Sequence, residues 1–324
     1  MTPAPPTAAE DTRRGLMAVA CAFLIWGTLP LYMRALDSVS PVEIMVHRMV
    51  WACLFTFALL AFKRQLGNVI AVLRQPRAVA WLLASATMIS LNWFIYVWAV
   101  AERQVVEASL GYFINPLVSV ALGVLLLGEK LNRWQTLAVG FAAAGVIWLT
   151  LLVGRLPWIA LVLAFSFAFY GFIRKRVAVD AITGLHVETL LLLPFAVGYL
   201  LWWGESGAFF TQGGAIGVLL VGAGIFTAIP LMSFAFGVRR VSLSTVGVMQ
   251  YLAPSLQLLT AVALFAEPFS LQQGVGFGLI WIALAIYAFD GLSRHRRAAP
   301  APAPVAVQCA EAVAPVKDAP ARVE

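Results

Sequence analysis

The densest set of ionisable side chains within apolar sequence is Glu43, His47 and Arg48. Glu43 and His47 stand four residues apart and share a helical face, whereas Arg48 points about 100° away from His47. An imidazole titrates near neutral pH and could exchange a proton with a carboxylate one turn away. An arginine at the centre of a bilayer costs about 2.5–3.5 kcal/mol on insertion scales, so it calls for an anion, a wet cavity or an interface. The expected chemistry is binding of a charged solute or coupling to protons, with a structural ion pair as the plain alternative. Arg48 also lies only about 9 Å of helix from the nearer end of its segment, close enough to snorkel. His186 and Glu188, which open a later apolar segment, read as interfacial and as poor partners for Arg48.

A second set is polar and neutral. Tyr112, Asn115 and Ser119 follow at i, i+3 and i+7, and Asn92 and Tyr96 at i, i+4, so each group occupies one helical face. Such groups should turn to a cavity or a neighbouring helix, where an interhelical hydrogen bond contributes about 0.6 kcal/mol on average. Pro116 lies among them. It lacks an N–H and frees the carbonyl of Tyr112 four residues earlier.

A shift of 138 residues carries Pro116 onto Pro254, Tyr112 onto Gln250, Asn115 onto Ala253 and Ser119 onto Gln257. The same shift carries Glu129 onto Glu267, Gln135 onto Gln273 and Gly140 onto Gly278. A nearly equal shift sets Trp26 against Tyr170 within similar aromatic runs. Matching helix interruptions in two halves of a chain point to a solute site between them. Pro116 and Pro254 are therefore expected to be helix breaks at that site. Asn92, Tyr96, Tyr112, Asn115, Ser119, Gln250 and Gln257 are candidates for its walls, and Trp26 and Tyr170 for lining or gating. Kinks used for packing, and aromatic belts at the membrane surface, are the ordinary alternatives.

The elements that must hold these residues follow from composition. Of 324 residues, 62% are hydrophobic and 11% charged, well below the roughly 25% charge of soluble domains. Water cannot be the surrounding solvent for that surface. Ten apolar stretches are long enough to cross a bilayer, at 15–34, 42–62, 78–100, 105–127, 134–153, 156–174, 185–203, 215–236, 243–265 and 271–290. The first is too long for a secretion-signal core, lacks a clean cleavage site and is followed by further apolar runs, so it reads as a membrane helix. The fold class expected is all-α and polytopic. A half over residues 15–153 and a second over 156–290 are flanked by disordered tails at 1–14 and 291–324.

Sixteen lysines and arginines fall in the loops and ends of one side and three, Arg34, Arg103 and Arg155, on the other. This asymmetry leads us to expect both termini in the cytoplasm, and the chain is expected in the plasma (inner) membrane as a multi-pass protein. Five spans per half is an odd number, so the second half should enter the bilayer in the opposite sense. Glu129 then lies at a cytoplasmic helix end and Glu267 at an outer one. An inverted repeat of this kind is the architecture of alternating-access carriers.

The net charge of +7 is spread over short clusters between apolar runs, with no patch suited to nucleic acid. The three cysteines, Cys21, Cys53 and Cys309, show neither a disulfide framework nor metal spacing, so no metal and no cofactor is expected. Catalytic and nucleotide-binding signatures are absent, which sets a membrane-embedded enzyme and a channel behind a carrier. The partners expected are a small-molecule substrate, the lipid bilayer and protons as the coupling ion. Gly274, Gly276 and Gly278 suit close helix packing or a homodimer contact.

The runs Asn92-Trp93-Phe94-Ile95-Tyr96-Val97-Trp98-Ala99 and Glu107-Ala108-Ser109-Leu110-Gly111-Tyr112-Phe113-Ile114-Asn115-Pro116-Leu117 resemble the RarD family. So do Glu43 and His47-Arg48-Met49-Val50-Trp51. RarD proteins are EamA-type members of the drug/metabolite transporter superfamily, and the resemblance covers about residues 15–290. It implies ten helices in two inverted five-helix halves, and export or exchange of small organic solutes.

Overall fold

The fifth and tenth spans begin with the same device. Asn132 accepts from the backbone N–H of Gln135 at 2.9 Å, while the Gln135 side chain accepts from the Asn132 N–H at 3.1 Å. In the other half Ser270 and Gln273 repeat the exchange at 3.2 and 2.9 Å. Each pair satisfies two helix-start N–H groups reciprocally, which explains why Gln135 and Gln273 recur at one register.

The computed structural model describes residues 7–102, 104–154, 157–265 and 270–298, and among these every regular element is helical. Among the described residues ten helices are long and apolar enough to cross a membrane: Ala9–Arg34, Pro41–Phe62, Pro76–Tyr96, Leu110–Leu127, Arg133–Leu152, Trp158–Arg176, Ala181–Trp202, Gly214–Val238, Leu243–Leu264 and Leu271–Gly291. Their outward faces carry large apolar side chains such as Phe62, Phe195, Leu201 and Trp202, which only a nonaqueous surround accommodates.

Packing runs mainly between the halves. The fourth span lies against the sixth and the ninth, the second against the seventh and the eighth, the first against the eighth and the ninth, the third against the sixth and the seventh, and the fifth against the tenth. Exchanging spans one to five with spans six to ten maps this set of pairs onto itself. Close approach depends on missing side chains. Gly224 in the eighth span rests on the backbone of Trp51 and Ala52, and Gly145 and Gly276 let the fifth and tenth spans touch.

Several expectations are corrected. The first helix starts at Ala8, with a capping box between Thr7 and Glu10, so residues 8–14 are helix rather than tail. The last helix runs on to Ala298; the tails expected at 1–6 and 299–324 lie outside the described residues, as does Glu267. Pro116 does not break its helix, which is continuous over Val105–Leu127. The ninth span does divide, at Tyr251, into Leu243–Gln250 and Leu252–Phe265. Pro254 then falls in the first turn of the second piece, where a missing N–H costs nothing. The first span also divides, after Gly27, into Ala8–Gly27 and Leu29–Arg34, with Pro30 in the first turn of the second piece. The two interrupted spans are thus the first and the ninth, which touch; Gly27 leaves room only for the Leu256 side chain.

Candidate functional site

The break in the first span frees the Trp26 carbonyl, which Pro30 four residues on cannot bond, beside the ninth span. Gln257 uses this, donating from Nε2 to the Trp26 carbonyl at 3.0 Å. Next to that bond, where the halves meet, lies a cavity of about 100 Å³. Phe23, Trp26 and Leu29 of the first span form one wall, and Gln250, Ala253, Pro254 and Gln257 of the ninth form another. Arg48 enters from the second span, Asn92, Trp93 and Tyr96 from the third, and Tyr112 and Asn115 from the fourth. Ile89, Phe167 and Leu231 complete it. Several walls are repeat partners: Tyr112 with Gln250, Asn115 with Ala253, and Trp93 with Leu231. Most of these residues occupy the halves of their spans remote from the basic ends.

Most polar side chains around the cavity are held by each other or by backbone. Asn92 donates to the Leu163 carbonyl at 2.8 Å and to Ser166 Oγ at 3.0 Å. Ser119 donates to Gln250 Oε1 at 2.9 Å and lies 3.4 Å from Asn115 Oδ1. Ser119 is itself buried behind these residues and, like Pro116, does not border the cavity. Tyr96 and Tyr112 meet edge to face, with centroids 6.0 Å apart.

The cluster expected at Glu43, His47 and Arg48 is split by the fold. Glu43 accepts from the Phe209 backbone N–H at 3.3 Å and lies 3.9 Å from His47. His47 stacks on Phe209 and accepts from Trp51 Nε1 at 3.2 Å. Both face the connection between the seventh and eighth spans, away from the cavity. Arg48, turned about 100° from them, donates from Nε to Thr227 Oγ1 at 2.7 Å and lies over the Trp93 ring at 5.1 Å. The Tyr32, Tyr96 and Tyr112 phenols are within its electrostatic reach. It points into the bundle, so snorkelling is overturned.

On the side of the cavity nearer the basic ends, aromatic rings fill the bundle. Trp26 packs on Phe167 and Phe234, and Tyr170 stacks on Phe234 at 5.9 Å. Tyr170 and Phe234 are each 1% exposed. Tyr170 therefore does not line the cavity, although Trp26 does. Beyond the rings, the halves are tied together. Glu129 accepts from the backbone N–H groups of Leu243 and Ser244 at 2.6 and 2.8 Å, capping the ninth span from the end of the fourth. Arg240 pairs with Asp11 at 2.9 Å across the same seam, whereas Lys175, donating to the carbonyls of Val238 and Val241, ties spans within the second half.

His186 and Glu188 are buried rather than interfacial. Glu188 lies 3.4 Å from Arg174, and His186 Nδ1 is 3.0 Å from Thr56 Oγ1. Gly276 packs within the chain against Leu149, whereas Gly278 meets nothing within 4 Å. Among the described residues no metal-binding cluster occurs. Sequence reasoning missed Thr227 and the apolar walls Phe23, Leu29, Ile89, Phe167 and Leu231. Thr227, the partner of Arg48, falls on the wall residue Ile89 at the repeat shift, and that register was the available signal.

These features define a multi-pass membrane transporter. The chain belongs to the EamA-like transporter family, which matches residues 13–151 and again 156–289. It is 42% identical over 289 residues to the "Uncharacterized transporter YojE" of Bacillus subtilis, covering 88% of this chain and 97% of that one. It is 41% identical over 291 residues to "Protein RarD" of Escherichia coli, covering 89% and 98%. A solved structure titled only as a crystal structure of a protein shares the fold at a TM-score of 0.66 and 22% identity, over 88% of this chain and 98% of that one.

Proposed function

We propose that this transporter carries small organic solutes, as exporter or exchanger, by alternating access between two five-span halves threaded oppositely through the inner (plasma) membrane. Both chain ends lie in the cytoplasm. The observation that carries the reading is the cavity at the seam of the halves, walled by repeat-related residues and closed toward the basic ends by the Trp26–Phe167–Phe234–Tyr170 rings. The arrangement corresponds to a site open away from the cytoplasm. Release of the Glu129 and Arg240 ties and of the rings would open it the other way, as rocking of one repeat against the other requires.

The energy comes from exchange or from protons. Glu43, which has the Tyr199 phenol within electrostatic reach, and His47 are the candidate proton carriers.

Proteoliposomes test this reading. Vesicles loaded with an unlabelled solute that moves should accumulate its labelled form transiently against its gradient. Simple equilibration would indicate a channel, and chemical conversion in detergent an enzyme. In the same vesicles Glu43→Gln should abolish any pH dependence, and an unchanged pH profile would remove Glu43 as carrier.

A further inference from the structure

The cavity contains one fixed charge and no counter-charge. Among its described walls Arg48 is the sole ionisable group other than tyrosine, and no carboxylate borders it. Glu43 is taken by Phe209 and His47, and Glu188 by Arg174. The Arg48 guanidinium is held at Nε by Thr227 and on one face by Trp93, and it makes no hydrogen bond through its two terminal nitrogens to any described residue. Two further donors are spare. Gln250 and Asn115 direct their amide oxygens at Ser119, and neither amide nitrogen has a partner among the described residues. The remaining surface is aromatic and aliphatic: Phe23, Trp26, Trp93, Phe167 and Leu231.

A guanidinium fork in an apolar, partly desolvated site is a carboxylate receptor, since paired N–H groups match the two carboxylate oxygens. The same field opposes a cation, and no acid among the described walls could receive an ammonium group. Engineered apolar cavities of ~150 Å³ take up benzene, so about 100 Å³ sets the upper limit of size at a single ring or a short branched chain.

We infer that the cavity binds an organic monoanion, a carboxylate on a compact apolar body without a positive charge, with Arg48 as the anion hook. This rests on the reading of the cavity as the solute site and names the solute class.

The test uses three molecules of one shape and different charge: benzoate, benzamide and benzamidinium. Binding to the purified full chain in detergent is followed by thermal stabilisation, expected from mass action for any ligand of the folded state. Benzoate at millimolar concentration should raise the melting temperature, benzamide less, and benzamidinium not at all. Arg48→Gln should weaken benzoate at least about tenfold, as loss of a charged hydrogen bond implies, and Arg48→Lys should retain part of the binding. Arg48→Gln removes a costly membrane charge and should fold; Thr227→Val, which frees the guanidinium but keeps it, should weaken benzoate less. Equal binding of all three probes, preference for benzamidinium, no stabilisation by benzoate, or benzoate binding unaffected by Arg48→Gln would each overturn the inference. Failure here is separable from failure of the carrier reading. Benzoate bound through Arg48 but never moved in vesicles would sink transport alone, whereas uphill movement confined to cations would sink the anion hook alone.

Discussion

Glu129 shows how one side chain can join two halves of a molecule. Its carboxylate receives two backbone N–H groups and the Ser244 hydroxyl at the start of the ninth span, where the helix dipole also favours negative charge. A lost N-cap costs about 0.5–2 kcal/mol. Glu129→Ala should therefore lower thermal stability in detergent by an amount in that range, with Glu129→Gln in between. An unchanged melting temperature would show that the cap contributes nothing. The sequence marked Glu129 through its spacing from Pro116 and placed it at a helix end, but its partner lies 114 residues on and was out of reach of any local pattern. The same limit separated Arg48 from His47. Helical periodicity gave their angular difference correctly, whereas which neighbour each would meet depended on how the second span docks on the eighth.

At the scale of elements, glycine positions decide how close helices come. A Cβ at Gly224 would overlap the Trp51 and Ala52 backbone of the second span, while one at Gly278 would meet nothing within 4 Å. Gly224→Ala should then destabilise by about 1–3 kcal/mol, the usual cost of overpacking. Gly278→Ala should be neutral or slightly stabilising, since alanine is the better helix former. Equal melting temperatures for the two variants would contradict the packing described. The ten spans were legible because lipid demands long apolar helices with every backbone group satisfied internally. Their interruptions were less so. Proline alone suggested breaks at Pro116 and Pro254, yet a continuous helix tolerates the first, and the breaks fall at Thr28 and Tyr251, just before Pro30 and Pro254. Proline at the start of a helix and proline inside one look alike in sequence.

For the whole molecule, the packing pairs that survive exchange of the halves, the repeated capping boxes and the family's double match all reflect one duplicated plan. That plan was legible from the Pro-to-Glu spacing and the loop charges. The asymmetry was not. The cavity lies toward the ends remote from the basic loops because the rings and the Glu129 cap fill the bundle on the other side, and that packing between distant spans leaves no mark in any local pattern.

The most direct test of the account follows from that asymmetry. A chain with its native cysteines replaced receives Gln257→Cys in the cavity wall, with or without the pair Gly123→Cys and Ser244→Cys. A Cβ at Gly123 would lie 2.9 Å from Ser244 Oγ, so a disulfide there should form and lock the basic side shut. With the lock closed, a membrane-impermeant thiol reagent should label position 257 only from the face away from the basic loops, and transport should stop; with the lock reduced, labelling from both faces and transport should return. Labelling of the locked protein from the basic side, or undiminished transport through it, would contradict the account.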